Sequence, residues 1–133
     1  MHVHGQCHCG QITYDADVTP GTVVVCHCAD CQAFAGAPYR AMIRPDAATF
    51  KLSGTPAEYT KTADSGRQRV QGFCGTCGCH LYAVDPDRSN LSLRIGVIAE
   101  QHELGEPARQ IWCDSALEWA FDLDRVPQLA KQS

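Results

Sequence analysis

Nine cysteines in 133 residues are too many for accident, and seven of them fall into spacings with chemical content. Cys7 and Cys9 flank His8, Cys26 and Cys28 flank His27, and Cys31 follows Cys28 at the same interval that separates Cys77 from Cys74. In an extended strand the side chains at i and i+2 leave the same face, so each CxC can grip one ion. In a tight turn i and i+3 converge, which suits Cys28 with Cys31 and Cys74 with Cys77. The glycines of Cys74-Gly75-Thr76-Cys77-Gly78 give that stretch the composition of a zinc knuckle, whose backbone amides can turn toward thiolates. A disulfide framework is the weaker explanation. The cysteine count is odd, and the opening MHVHGQCHCG has neither the basic start nor the apolar run of a secretory signal, so a reducing cytoplasm is expected.

The simplest pairing joins Cys7 and Cys9 to Cys74 and Cys77 as a closed, structural four-thiolate zinc that staples the chain across 64 intervening residues. Such a site adds folding free energy on the order of 10 kcal/mol, which matters in a small β domain. Cys26, Cys28 and Cys31 are then left as a second site with three protein ligands, the number typical of a zinc that keeps an exchangeable fourth position. Two zinc ions per chain are expected. The open trio is suited to hold a substrate thiol, which makes Cys26, Cys28 and Cys31 the candidate catalytic residues. The competing reading closes it with a fourth side chain, His27, Cys79 or Cys113. Without metal, the three thiols are near enough for a disulfide. His8 and His27, each between two cysteines, should face away from the metal their neighbours bind. Cys79 and Cys113 remain as buried free thiols.

Short segments of two-residue alternation between frequent glycines and prolines position these thiols. They predict strands over 11–16, 22–28, 39–43, 49–53, 57–62, 67–74, 80–84, 91–97 and 108–113. In the eighth, Leu91, Leu93, Ile95 and Val97 point one way while Ser92, Arg94 and Gly96 point the other. Thr19-Pro20-Gly21, Pro45, Ser53-Gly54-Thr55-Pro56 and Asp85-Pro86-Asp87 read as breakers. Helix is scarce: Asp30 can cap one turn through Phe34, stopped by Gly36, and another turn fits 115–119. His2 and His4 read as a mobile end. Trp112, Trp119, Phe121 and Phe73 read as core, and Phe34 and Tyr39 as pocket lining near the trio. The fold class expected is mainly β, in a single domain over residues 1–133.

A formal charge of −4 and the absence of a basic block exclude a backbone-tracking nucleic-acid binder, and no apolar run approaches a membrane span. Adding seven negative thiolates and two dications to −4 gives −7, so an anionic small-molecule cosubstrate would need local cations. Arg40, Arg44, Arg67 and Arg69 lie near the motifs and are the candidates.

Gly5-Gln6-Cys7-His8-Cys9-Gly10, Cys26-His27-Cys28-Ala29-Asp30-Cys31 with Gly36, Ser65-Gly66, Phe73-Cys74-Gly75-Thr76-Cys77-Gly78 and Trp119 together span nearly the whole chain. In this set the sequence resembles the glutathione-dependent formaldehyde-activating enzyme family, which includes the centromere protein V domain. The resemblance implies a zinc-bound β-tent of small antiparallel sheets. It implies Cys7, Cys9, Cys74 and Cys77 as structural zinc ligands and Cys26, Cys28 and Cys31 as ligands of a functional one. It also implies a carbon-sulfur lyase reaction in which glutathione and formaldehyde combine to S-hydroxymethylglutathione. The chain departs from the family pattern at Gln32, where a basic residue often follows the trio, and at Cys79-His80, where a Ser/Thr-Pro pair often follows the knuckle.

Two rival functions fit parts of the same pattern. A noncatalytic zinc module for a protein partner or for metal would have the trio closed by a fourth protein ligand. Methionine sulfoxide reduction would need a catalytic cysteine outside the metal sites, and only Cys79 and Cys113 are free to serve, which ranks it last.

Overall fold

A computed structural model describes residues 1–133. Its chain forms β1 (His2–Gln6), β2 (Thr13–Val18), β3 (Val24–Cys26), α1 (Ala29–Ala35), β4 (Arg40–Ile43), β5 (Pro45–Ser53), β6 (Ala57–Thr62), β7 (Gln68–Phe73), β8 (His80–Val84), β9 (Ser92–Arg94) and β10 (Arg109–Ile111), with short 3-10 turns on either side of β10. One sheet has the order β1-β2-β5, and the other β10-β3-β4-β9-β8-β7-β6. The mainly β expectation holds. The larger sheet is less uniform than expected, because β10 pairs with β3 in parallel. No helix is long and apolar enough to cross a membrane.

Alternation builds the core. On β2, Tyr14, Ala16 and Val18 are buried while Thr13, Asp15 and Asp17 are part-exposed, so one face packs against Ile43, Val70, Tyr82 and Leu93 of the larger sheet in a single cluster. Each sheet seats a tyrosine over a glycine directly across the ladder, Tyr14 opposite Gly5 and Tyr82 opposite Gly72. A Cβ on Gly5 would lie 2.1 Å from Tyr14 Cζ, and one on Gly72 2.2 Å from Tyr82 Cζ. These two glycines are therefore required by ring packing, since any side chain would occupy the space of the aromatic.

Several expectations are corrected. His2 and His4 belong to β1 rather than to a mobile end, held by His2 Nδ1 to Asp17 Oδ1 and His4 Nδ1 to Glu100 Oε1, both 2.6 Å. Pro45 does not break the chain but opens β5, pairing with Val18 at an edge where its missing N–H costs nothing. The eighth strand stops at Arg94, and a 3-10 turn over Ile95–Val97 shifts the phase so that Ile98, not Val97, enters the core. The α1 cap is Cys28 rather than Asp30. Trp112, Trp119 and Phe121 are exposed rather than core residues, and Cys113 is exposed rather than buried.

The second face of the larger sheet is also covered, which is why Ser92 and Arg94 are as buried as Leu93. Residues paired across an antiparallel ladder share a face. The register therefore places Val24, Met42 and Arg94 on this second face, with Tyr59, Gln71, Ala83 and Ser92. Helix α1 lies over it, tied to β6 by Asp30 Oδ2 and Lys61 Nζ at 2.6 Å.

Candidate metal centres

The first thiol group forms where the end of β1 meets the end of β7. Cys7 and Cys9 sit in a turn closed by Gly10 N–H donating to Cys7 O at 3.0 Å, with Gly10 in the left-handed region at φ 83°. Cys74 and Cys77 sit in a turn closed by Gly78 N–H donating to Cys74 O at 2.8 Å. Cys7 Sγ lies 3.7 Å from Cys9 Sγ, which lies 3.6 Å from Cys74 Sγ, and all four sulfurs are within 4.8 Å of one another. Zinc–sulfur bonds of about 2.3 Å in a tetrahedron place sulfurs roughly 3.8 Å apart, so the quartet fits a four-thiolate ion. Amides assist: Ile12 N–H donates to Cys7 Sγ at 3.3 Å and Cys77 N–H to Cys74 Sγ at 3.5 Å. The Cys9 and Cys79 amides draw the Cys77 thiol down to about 6. The Gln11 amide works the same way on Cys9, but burial and the adjacent sulfurs prevail and push it up to about 12.

The second thiol group is local. Cys26 ends β3, Cys28 caps α1 and Cys31 lies in its first turn, with the three sulfurs within 4.8 Å of one another. Cys26 and Cys31 are buried, and Cys28 faces the accessible edge. Burial opposes ionisation of Cys28, but the Cys31 amide, donating to its Sγ at 3.3 Å, and the neighbouring sulfurs hold its pKa below the ordinary thiol value. Burial raises Cys26 and pushes Cys31 up to about 12, against the pull of the Arg40 charge. No fourth histidine, cysteine or carboxylate joins this trio. His27 turns away as expected: it is buried, with Nε2 2.7 Å from Gln110 Oε1 and its ring 5.0 Å from that of Phe121. Cys113 is exposed, and Cys79 is part-buried between the two thiol groups' surroundings. Gln32 clamps the trio's loop, its Nε2 donating to His27 O at 2.8 Å and to Ser115 O at 3.0 Å.

Of the four arginines singled out in the sequence, Arg40 alone stands at the trio, directly across the ladder from Cys26 with its guanidinium 5.6 Å from the Phe34 ring centroid. Arg69 donates to Asp85 Oδ1 at 2.9 Å and to Ser92 Oγ at 3.1 Å, and Arg67 reaches the same carboxylate at 3.6 Å. With Arg44 and Arg109 they line a separate groove of about 490 Å³. The residue missed is Arg94. It donates to Gln71 Oε1 at 3.2 Å, and Arg40 donates to the same oxygen at 3.0 Å. Its signal was the alternation that set it opposite Leu93. Both arginines, with Phe34, Tyr39 and His80, line a cavity of about 450 Å³.

A mainly β frame carrying one closed group of four thiols and one group of three with an accessible edge defines a class of cysteine-rich β proteins whose thiol groups could each hold a metal ion. Residues 2–115 match a family model described as glutathione-dependent formaldehyde-activating enzyme, and the chain belongs to that family. A search of curated proteins returned no match. Among solved structures, a structural-genomics crystal structure of a Rhodobacter sphaeroides protein is similar, with a TM-score of 0.57 and 19% identity, covering 80% of this chain and 98% of that one. That likeness concerns the fold.

Proposed function

We propose that this chain, acting as one zinc-binding domain over residues 1–133, is a zinc-dependent carbon-sulfur lyase that interconverts S-hydroxymethylglutathione with glutathione and formaldehyde. Cys7, Cys9, Cys74 and Cys77 hold a structural zinc, and Cys26, Cys28 and Cys31 hold the functional one. The observation that carries the reading is the trio itself: three convergent sulfurs, one at an accessible edge, and no fourth protein donor. A zinc ion there would supply the positive charge that keeps an added thiol deprotonated at neutral pH. Cys26 and Cys31 are fixed in buried positions by β3 and α1, so the incoming glutathione sulfur is received on the Cys28 side. Held there, its electron pair adds to the formaldehyde carbon, the carbonyl pair moves to oxygen, and the proton released by the thiol ends on that oxygen. The lyase direction breaks the same carbon-sulfur bond. Phe34 and Tyr39 wall the neighbouring cavity with apolar surface. Seven cysteines committed to metal, with none of the nine in a disulfide, fit a reducing compartment, the cytoplasm.

The test is exchange spectroscopy by NMR on glutathione and formaldehyde with the two-zinc protein. Exchange faster than with an equal concentration of Cys28→Ser supports the reading; equal rates refute it, because the uncatalysed reaction is spontaneous. Metal analysis should give two zinc ions per chain.

A further inference from the structure

Arg40 and Arg94 present an unusual charge arrangement. They share one neutral acceptor, Gln71 Oε1, and neither is paired with a carboxylate. Arg94 is 5% exposed, yet its Nε and Nη1 have no acceptor, and Arg40 Nε is likewise buried and unpartnered. Two adjacent guanidiniums, one of them buried and both with buried unpartnered nitrogens, are unfavourable unless an anion completes them. The trio supplies too little charge. Three thiolates around a zinc dication carry one net negative charge against two positive ones, leaving a deficit of one anion.

We propose that Arg40, Arg94 and Gln71 form a carboxylate-binding subsite that seats an acidic arm of the thiol cosubstrate. The guanidinium fork matches a carboxylate's two oxygens, and two forks offering Nε and Nη donors can receive it without displacing Gln71. The cavity of about 450 Å³ has apolar walls at Phe34, Tyr39 and Val97, which lower the local dielectric around charged hydrogen bonds. Arg40 lies across the ladder from Cys26, so an acid held here is adjacent to the trio. The link to a thiol cosubstrate rests on the function proposed above, whereas the carboxylate site stands on the arginines themselves.

Two titrations of the full-length, metal-loaded protein separate these readings. In the first, sodium propanoate is added at constant ionic strength while arginine Nε–H signals are followed by NMR. Saturable shifts of Arg40 and Arg94 are expected in the wild-type protein, and the Arg94 shift should be weakened at least about tenfold in Arg40→Gln, a part-exposed position that leaves the core intact. Absence of saturable shifts in the wild-type protein, or shifts unchanged in the variant, overturns the subsite. In the second, 3-mercaptopropanoate and its uncharged methyl ester are compared by the absorption spectrum of the cobalt-substituted protein. The acid should bind about tenfold more tightly, and the difference should vanish in Arg40→Gln. Equal affinity for acid and ester overturns the subsite and leaves the thiol reading standing. A spectrum that neither thiol changes, with the propanoate shifts present, refutes the thiol reading and supports the subsite.

Discussion

Replacing Arg94 by methionine should make the ligand-free protein more stable, although it removes a buried hydrogen-bonding residue from the middle of a sheet. Burial, then the adjacent Arg40 charge, push the Arg94 guanidinium down to about 9, with Cys31 partly opposing. A guanidinium stays charged at neutral pH. That displacement from 12.5 corresponds to a penalty on the order of 5 kcal/mol, borne by the folded state. Methionine keeps most of the volume, so no large cavity opens. The loss is one hydrogen bond of about 1 kcal/mol, and Gln71 Oε1 is not stranded because Arg40 Nη1 still donates to it at 3.0 Å. Substitutions of buried ionic groups by apolar ones gain about 1–4 kcal/mol in other proteins, and about 1–3 kcal/mol is expected here. Urea unfolding of the zinc-loaded chain at pH 7, with an unchanged m-value, measures it. Propanoate should then stabilise the wild-type protein and not the variant. A loss of more than about 1 kcal/mol with both metals retained would show that groups inside the fold already compensate Arg94, and the argument from an uncompensated pair would be wrong.

Three further outcomes follow from the geometry. Gly72→Ala should destabilise by about 2–4 kcal/mol in thermal or urea unfolding, because the new Cβ displaces the Tyr82 ring and strains its hydroxyl's 2.8 Å bond to Glu58 Oε1. Cys28→Ser should lower the metal count from two to one while leaving the β circular dichroism signal intact, whereas Cys74→Ser should lose the folded state or at least about 3 kcal/mol of stability. Asp85 has its pKa lowered by the Asn90 side-chain amide first, then, against the opposing effect of burial, by Arg69 and Arg67. The stability it contributes is therefore present above the unfolded carboxylate pKa of about 4 and is lost as pH falls through the lower folded value; Asp85→Asn should flatten that part of the acid limb.

What was legible in the sequence is what local spacing determines. Both thiol groups have the membership expected, but neither CxC lies on a strand: Cys7 and Cys9 converge in a turn after β1, and Cys26 ends β3 while Cys28 caps α1. The strand expected over 11–16 was readable as an element, although it lies two residues later, at Thr13–Val18. Illegible features depend on what covers a residue from afar. His2–Gln6 alternates, but its polar residues look like a frayed end until β2 and Glu100 meet them. Trp112 and Trp119 are apolar without being core, because the segment after β10 runs over the outside in 3-10 turns. Arg94 illustrates the point most clearly: alternation gave its direction, yet only α1 lying over the second sheet face turned an outward arginine into a buried one.

The division between the two thiol groups follows from chain separation. Cys9 and Cys74, in contact through sulfur, are 65 positions apart, whereas the trio spans one strand end and the first turn of α1. Closure entropy grows with the logarithm of loop length, so ordering the distant pair costs about 2 kcal/mol more than ordering a five-residue loop. A metal that bridges distant segments returns that cost as fold stability, and its release undoes the fold. The trio is preorganised by the Cys31 amide, the α1 turn and the Gln32 clamp. On the proposed reading, that local geometry would persist while thiols exchange at a fourth position. Had the open group been assembled from distant strands, each ligand exchange would have strained the contacts that hold the sheets together. If the trio binds as proposed, its place on a local turn separates the work of binding from the work of folding.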